Sequence, residues 1–274
     1  MITLPKHDKE NIQFEDLQVK AICCKNWDTN NDGELSYAEA AAVEAIGTIF
    51  KGNTVIVAFT ELKYFTGIIE IPEYAFYGCK ALWKIVLPEN VQTIGEFSFR
   101  DCSGINSFTI PNSVSLIGDH AFQNCNSLTS VTIGNSVTSI GIEAFYECRS
   151  LTSITIPNSV TSIKYSAFGF CKSLTSVTIG HGVTEIEQQA FYYCDNLISI
   201  YCKPIIPPAV HYYYSVSSSY GITNYKCFPA NSEMTIYVPR KSYELYTQYS
   251  SYSNGLYQTN WSEYKSYVQP YDFE

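Results

Sequence analysis

The sequence predicts an α+β repeat fold: a right-handed solenoid of parallel strands with a 23-residue period, entered through a helical N-terminal cap. Three observations predict it. Cys79, Cys102, Cys125, Cys148, Cys171 and Cys194 are spaced 23 residues apart, and Phe, Ile, Val and Leu columns keep the same step. Each unit opens on an apolar/β-branched segment with strand alternation and closes on a turn. No unit can bury its apolar edge alone, and the sequence changes character at both ends, as it must where a stack needs covers.

The totals narrow the function classes. The 274 residues carry 26 acidic and 17 basic side chains, a net charge of −9. A polyanion such as nucleic acid, or an anionic membrane surface, is not expected as partner. No window of about 18 apolar residues occurs, so no membrane span is expected. The first residues, MITLPKHDKENIQFED, lack the apolar core of a secretory leader, so no signal peptide or lipid anchor is expected within this chain.

One unit reads LTSVTIGNSVTSIGIEAFYEC, from Leu128 to Cys148. Leu128 to Ile133 is the strand, with Val131 and Ile133 facing inward and Ser130 and Thr132 outward. A turn follows at Gly134 to Ser136, then a second short apolar element at Val137 and Ile140. Ala144 to Cys148 is read as a helical turn on the back. Extending the register backwards aligns Phe59, Leu62 and Tyr64 with Leu82, Ile85 and Leu87. The chain divides into a cap (1–58), seven repeats (59–202) and a lengthened last repeat with a Tyr-rich C-terminal cap (203–274). The Cys column reads as free, buried, small hydrophobes. Parallel stacking points neighbouring Cβ vectors the same way, which opposes a chain of disulfides.

The pattern L-x-x-[VI]-x-I-[PG]-x-x-V-x-x-I-x-x-x-A-F-x-x-C resembles the BspA-like leucine-rich repeat family of bacterial surface proteins. Ser113, Ser136 and Ser159 stand where ordinary leucine-rich repeats carry an Asn or Cys ladder. The resemblance implies a leucine-rich-repeat solenoid at the cell surface or outside the cell. It also implies a front cap with half an EF-hand and a closing unit built on Ile236-Tyr-Val-Pro and Trp261-x-x-Tyr264.

The cap opens with a helix expected over Phe14 to about Trp27, then DTNNDGELSYAE. In this loop Asp28, Asn30 and Asp32 fill calcium positions 1, 3 and 5, and Gly33 makes the turn at 6. Glu34 offers its carbonyl at 7, Ser36 sits at 9, and Glu39 gives two oxygens at 12. A competing reading needs no metal: Ser36-x-x-Glu39 is a capping box opening a helix from Tyr37 to about Ile46. One loop without a paired hand suits a fastening rather than a switch. As a calcium site it would have modest affinity, on the order of 10⁻⁴ M or weaker.

Behind the repeats, residues 211–225 look like an insertion. Cys227-Phe228 continues the Ala-Phe column, and Met234 to Pro239 is the last strand. Ser242 is read as the cap of a short helix, Tyr243 to Gln248. Trp261, Tyr264 and Val268 are spaced for a helix over the last strand.

No paired histidines, nucleophile elbow or phosphate loop occurs, and the repeat carboxylates fall in variable columns, so no catalytic residue is expected. What remains is surface. Two columns face the open side of the sheet. One is Glu61, Lys84, Ser107, Ser130, Ser153, Ser176 and Ser199. The other is Lys63, Val86, Thr109, Thr132, Thr155, Thr178 and Tyr201. Candidate ligand contacts are Trp83, Lys84, Thr109, Thr132, Thr155, Thr178 and Tyr201, with Tyr212, Tyr213, Tyr214 and Tyr220 from the Tyr-rich insertion. The sequence thus predicts a monomeric, non-enzymatic surface or secreted protein that contacts a host protein or glycan. A passive or self-assembling spacer is the alternative, and a carbohydrate-active enzyme the remote one.

Overall fold

A computed structural model describes residues 11–217, 221–225, 227–229, 232–247, 257–259 and 261–273. The repeats coil into a parallel-strand solenoid with two strand-bearing sides. The front side carries Ala58–Phe59, Lys84–Ile85, Ser107–Thr109, Ser130–Thr132, Ser153–Ile156, Ser176–Ile179, Ser199–Cys202, Thr235–Pro239 and Val268–Tyr271, paired in three hydrogen-bonded groups. The second side carries the short strands Glu70–Ile71, Thr93–Ile94, Leu116–Ile117, Ser139–Ile140, Ser162–Ile163 and Glu185–Ile186, then Ala209–Ser217, all parallel. From Ser107 to Cys202 every front-side pairing keeps the sequence step, as in Ser107 to Ser130 and Thr178 to Tyr201.

The core is a ladder. Phe50, Phe76, Phe99, Phe122, Phe145, Phe168, Phe191 and Phe228 stack with successive ring centroids 5.1–5.4 Å apart. That step is close to the strand spacing, so one ring per turn fills the interior without gaps. Phe228 takes the expected Phe position, with the Cys227 carbonyl accepting from the Phe191 N–H. All ten cysteines are free, and all but Cys24 are buried. They do more than fill space: each repeat thiol donates to the carbonyl of the Phe in the preceding turn, Cys102 to Phe76 at 2.9 Å and Cys148 to Phe122 at 3.2 Å. Burial pushes the Cys125, Cys148 and Cys194 thiols up, and that of Cys202 to about 12.

The back turn corrects one expectation. Ala144 to Cys148 is not helical. Each turn holds two non-helical positions with positive φ, such as Glu143 (51°) and Glu147 (59°). This geometry turns backbone N–H groups toward the next repeat: Glu143 donates to the Tyr165 carbonyl, Phe145 to Ala167 and Glu147 to Gly169. The ladder so made satisfies the buried backbone that a single helical turn would leave open.

The front cap also differs from its reading. Helix α1 is Leu17–Trp27, capped by Asp16. Helix α2, Tyr37–Ala41, is shorter than expected, because the chain leaves it to send Val43, Ile46 and Phe50 into the core. Thr60–Tyr64 is a 3-10 helix, and the register is Phe59 against Ile85, three residues off the backward extension. Glu61 therefore does not stand on the open face. It is buried, and its Oε1 accepts from the Glu15 N–H at 3.0 Å and the Thr60 hydroxyl at 2.9 Å.

At the other end, Tyr243–Thr247 forms the expected short helix α3, but the Ser242 hydroxyl has no protein partner among the described residues. Thr235–Pro239 is not last: Val268–Tyr271 pairs beyond it, and Trp261–Tyr267 is a 3-10 helix. The insertion is a β-hairpin of Ala209–Ser217 with Gly221–Tyr225. Trp261 donates its indole N–H to the Pro208 carbonyl at 2.8 Å, and Tyr246 its hydroxyl to Pro204 at 2.6 Å. Tyr264 sits edge-on to Phe228 at 5.3 Å and closes the ring ladder.

Candidate functional site

The open face of the front side is built by strand alternation. Val177 and Ile179 turn inward and are fully buried, which leaves Ser176 and Thr178 outward. Thr109, Thr132, Thr155 and Thr178 form one row, with Ser107, Ser130, Ser153 and Ser176 beside it. Other threonines are already committed. Thr129, Thr152 and Thr175 each donate to a carbonyl of the preceding turn, as do Thr138, Thr161 and Thr184. Ser113 and Ser159 do the same at the usual ladder position, both at 2.6 Å. The face hydroxyls of Thr109, Thr132, Thr155 and Thr178, by contrast, have no protein partner among the described residues. They are a row of donors and acceptors held at strand spacing and turned to solvent.

The row ends in aromatics. Tyr201 follows Thr178 and Tyr237 follows Tyr201 in register. Their rings stack at 4.9 Å with planes 13° apart. Tyr271, 41% exposed, stands edge-on to both at 5.6 and 5.5 Å. Tyr237 and Tyr271 are absent from the sequence-derived set, because the insertions push them out of the repeat frame. Beside this step, at the strand ends, lies a cavity of about 450 Å³ lined by Pro239, Arg240, Lys241, Tyr271, Asp272 and Phe273 with His181 and Ile205. Arg240 holds Asp272 with paired 3.0 Å hydrogen bonds, and Lys203 lies 5.9 Å from the Phe273 ring.

Trp83 and Lys84 lie at the far end of the same side. Trp83 is 42% exposed, with the Lys84 ammonium 5.4 Å from its ring and 3.8 Å from Glu15. The fold does not bring them to the tyrosine step. Tyr212, Tyr213 and Tyr214 belong to the Ala209–Ser217 strand, which continues the second side rather than the front one. Their side chains, and the whole of Tyr220, lie outside the described residues. A second groove of about 530 Å³ runs along the second side over Gly95, Gly118 and Gly141, with Glu70, Glu73 and Glu96 on its wall. A Cβ on Gly141 would meet Asp119 Oδ1 and the Gly118 backbone at 2.6 Å, so close approach of the turns requires glycine there.

The cap loop satisfies much of itself. Glu39 Oε1 accepts from the Thr29 N–H and hydroxyl, both at 2.8 Å, and from the Asn30 N–H at 3.3 Å. Its Oε2 accepts from the Ser36 N–H and hydroxyl, completing the capping box. Partial burial pushes the Glu39 carboxyl up, but the hydrogen bonds from Ser36 and Thr29 outweigh it and hold the group at about 2. Asp28 Oδ2 accepts from the Gly33 N–H at 2.9 Å, and Asn30 Oδ1 and Asp32 Oδ1 accept from loop N–H groups. Asp28 Oδ1 is buried with no protein partner among the described residues. That orphaned oxygen suits a cation. Glu39, with five donors on it, is the ligand such an ion would have to win from the loop. Among the described residues, no group of three His, Cys, Asp or Glu side chains stands ready-made around one point.

The family of BspA-type leucine-rich repeat regions matches residues 60–203, in six copies. Among solved structures, a leucine-rich repeat protein of T. pallidum is 34% identical over 48% of this chain and 62% of that one, with a TM-score of 0.48. A leucine-rich cell surface protein of Faecalibacterium prausnitzii is 25% identical over 50% of this chain and 52% of that one, TM-score 0.37. A leucine-rich repeat protein from Bacteroides ovatus is 21% identical over 76% and 60%, TM-score 0.39. The chain spans less than two thirds of each of these relatives. No protein of curated function matches it.

Proposed function

Because this chain belongs to the BspA-type leucine-rich repeat family, we propose that it is a non-enzymatic binding protein of the cell surface or exterior, taking a host protein or glycan on the open front face. One observation carries this reading: the hydroxyls of Thr109, Thr132, Thr155 and Thr178 lack protein partners among the described residues, and their row runs into a step of half-buried Tyr201 and Tyr237 and exposed Tyr271. Amphipathic rings beside fixed hydroxyls make a surface that excludes water at its centre and hydrogen-bonds at its rim. The test is an immobilised panel of matrix proteins and glycans. The wild type is expected to retain at least one ligand more tightly than millimolar. The Tyr201→Ala/Tyr237→Ala variant is expected to bind it at least about 30-fold more weakly, the scale of a hot-spot pair. Tyr193→Ala, on the back turn, should bind as wild type. A passive spacer would retain nothing.

We also propose that the cap loop holds one calcium ion through Asp28, Asn30, Asp32, the Glu34 carbonyl and Glu39, with Ser36 at the remaining position. The support is the orphaned Asp28 oxygen. The ion would fasten α1 to α2 and so the cap to the solenoid; it has no substrate role. With a dissociation constant near 10⁻⁴ M, ~10 mM calcium is expected to stabilise the cap by up to about 2.7 kcal/mol. Asp28→Asn keeps the acceptor for Gly33 and should melt normally in chelator while losing the calcium response. A wild type indifferent to calcium would remove the proposal. The loop also has a pH signature. The Glu39 carboxyl sits below its ordinary 4.5. Its contribution is therefore complete above about 4.5 and lost as pH falls toward 2.

A further inference from the structure

The front-face reading leaves the class of ligand open, and the surroundings of the tyrosine step narrow it. We propose that this end of the face takes an acidic saccharide, its sugar ring against Tyr201 and Tyr237 and its carboxylate toward Lys203 and Lys241. The inference rests on the front-face reading and adds the ligand's chemistry.

Three features argue for it. Tyr201 and Tyr237 stack on each other with planes 13° apart and Tyr271 stands edge-on to both, so the sides the pair turns to each other are covered and its outer ring face is the one that suits the flat C–H face of a pyranose. Thr178 sits one strand away in the same row, its hydroxyl free of protein partners among the described residues, at the place where sugar hydroxyls would lie. The adjoining cavity of about 450 Å³ is within the range of small-ligand sites.

Charge selects the acid. The chain carries −9 overall, yet Arg240, Lys241 and His181 line this cavity, and the Lys203 ammonium lies 5.9 Å from the ring of Phe273 on its wall. Asp272 neutralises Arg240 only. Among the described residues no carboxylate pairs with Lys203 or Lys241. Two lysines left over beside an aromatic step, on an acidic protein, form a local positive field that a neutral sugar would not use and a carboxylate would. Nucleic acid is a poor occupant, because the net charge opposes the rest of a phosphate backbone. An acidic peptide would answer the lysines but would leave the ring faces and the hydroxyl row without matching groups.

The test is calorimetric titration of the full chain with matched pairs: sialyllactose against lactose, and tetragalacturonate against its methyl ester. At least one acidic member is expected to bind ten times or more tightly than its neutral partner. Lys203→Gln/Lys241→Gln should erase that difference with an unchanged melting temperature, and Tyr237→Ala should remove binding of both members. Equal binding of acidic and neutral sugars, no binding of either acidic sugar, or tighter binding of a poly-glutamate peptide would overturn the proposal. In each of those cases the front-face reading survives if Tyr201→Ala/Tyr237→Ala still removes whatever ligand the protein panel identifies. If that variant leaves the ligand bound, the face itself is wrong.

Discussion

Phe122→Ala is expected to cost about 3–5 kcal/mol, the range for deleting a fully buried aromatic side chain. Phe122 is 0% exposed and sits mid-ladder, 5.2 Å from the Phe99 ring and 5.1 Å from Phe145. Phe108 packs edge-on to it at 4.7 Å. The rigid backbone ladders on both sides of the turn prevent collapse into the space, so the cavity term is not relieved. A solenoid couples each turn only to its neighbours. The loss therefore falls on the interfaces with the turns before and after, and separates the stack into two arms. Denaturant titration should show a lower midpoint and, if the arms uncouple, a second transition. Phe122→Leu keeps most of the volume and should cost less than half as much. A melt unchanged by the alanine variant would mean that the ring ladder is not what holds the turns together.

Asp16→Ala is expected to cost about 3–5 kcal/mol at the front cap. One carboxylate there serves two elements. Its Oδ1 accepts from Gln18 and Val19 at the start of α1, and its Oδ2 accepts from Val57 at 2.6 Å and Ala58 at 3.3 Å, where the first front strand begins. The residue is 6% exposed. Removing it takes away an N-cap, worth roughly 1 kcal/mol, and strips the acceptor from the buried Ala58 N–H, at about 1–3 kcal/mol, and from the part-buried Val57 N–H, at about 1 kcal/mol. Asp16→Ser separates the two parts: serine can cap α1 but is too short to reach Val57, so it should recover only about 1 kcal/mol. Hydrogen exchange should then rise across Leu17–Trp27 and leave the central turns protected. Uniformly faster exchange along the whole chain would show that the cap does not act as a separate cover.

The repeat was legible because its period is carried by apolar residues that must meet one another. A Phe every 23 positions can only be a ring ladder in a stacked fold. The Cys column was legible as buried and free, but not as a donor. The bond from Cys148 to Phe122 crosses between turns, and nothing in the spacing reports where a carbonyl points. Ala-Phe-x-x-Cys has helical spacing, so the sequence predicts a helical back turn that the structure does not have. Left-handed backbone at Glu143, Glu147 and Phe170 leaves no compositional mark when the residue is not glycine. Glu61 was placed on the open face by extending a period past the point where the cap sets the register. Within the candidate site, Thr178 and Tyr201 followed from strand alternation. Tyr237 and Tyr271 did not, because the hairpin and the closing turns carry them far along the chain before the sheet brings them back.

The central claim is that ligand meets this molecule on the tyrosine step of the front face. Hydroxyl-radical footprinting with and without the strongest ligand of the panel tests it most directly, since it reads side-chain exposure at each tyrosine. The account predicts slower oxidation of Tyr201, Tyr237 and Tyr271 on binding, with Tyr193 on the back turn unchanged. Protection of Tyr193, or of Tyr74 and Phe97, whose rings stack 5.0 Å apart at the positive-φ positions of two successive back turns, with the front tyrosines unaltered would contradict it.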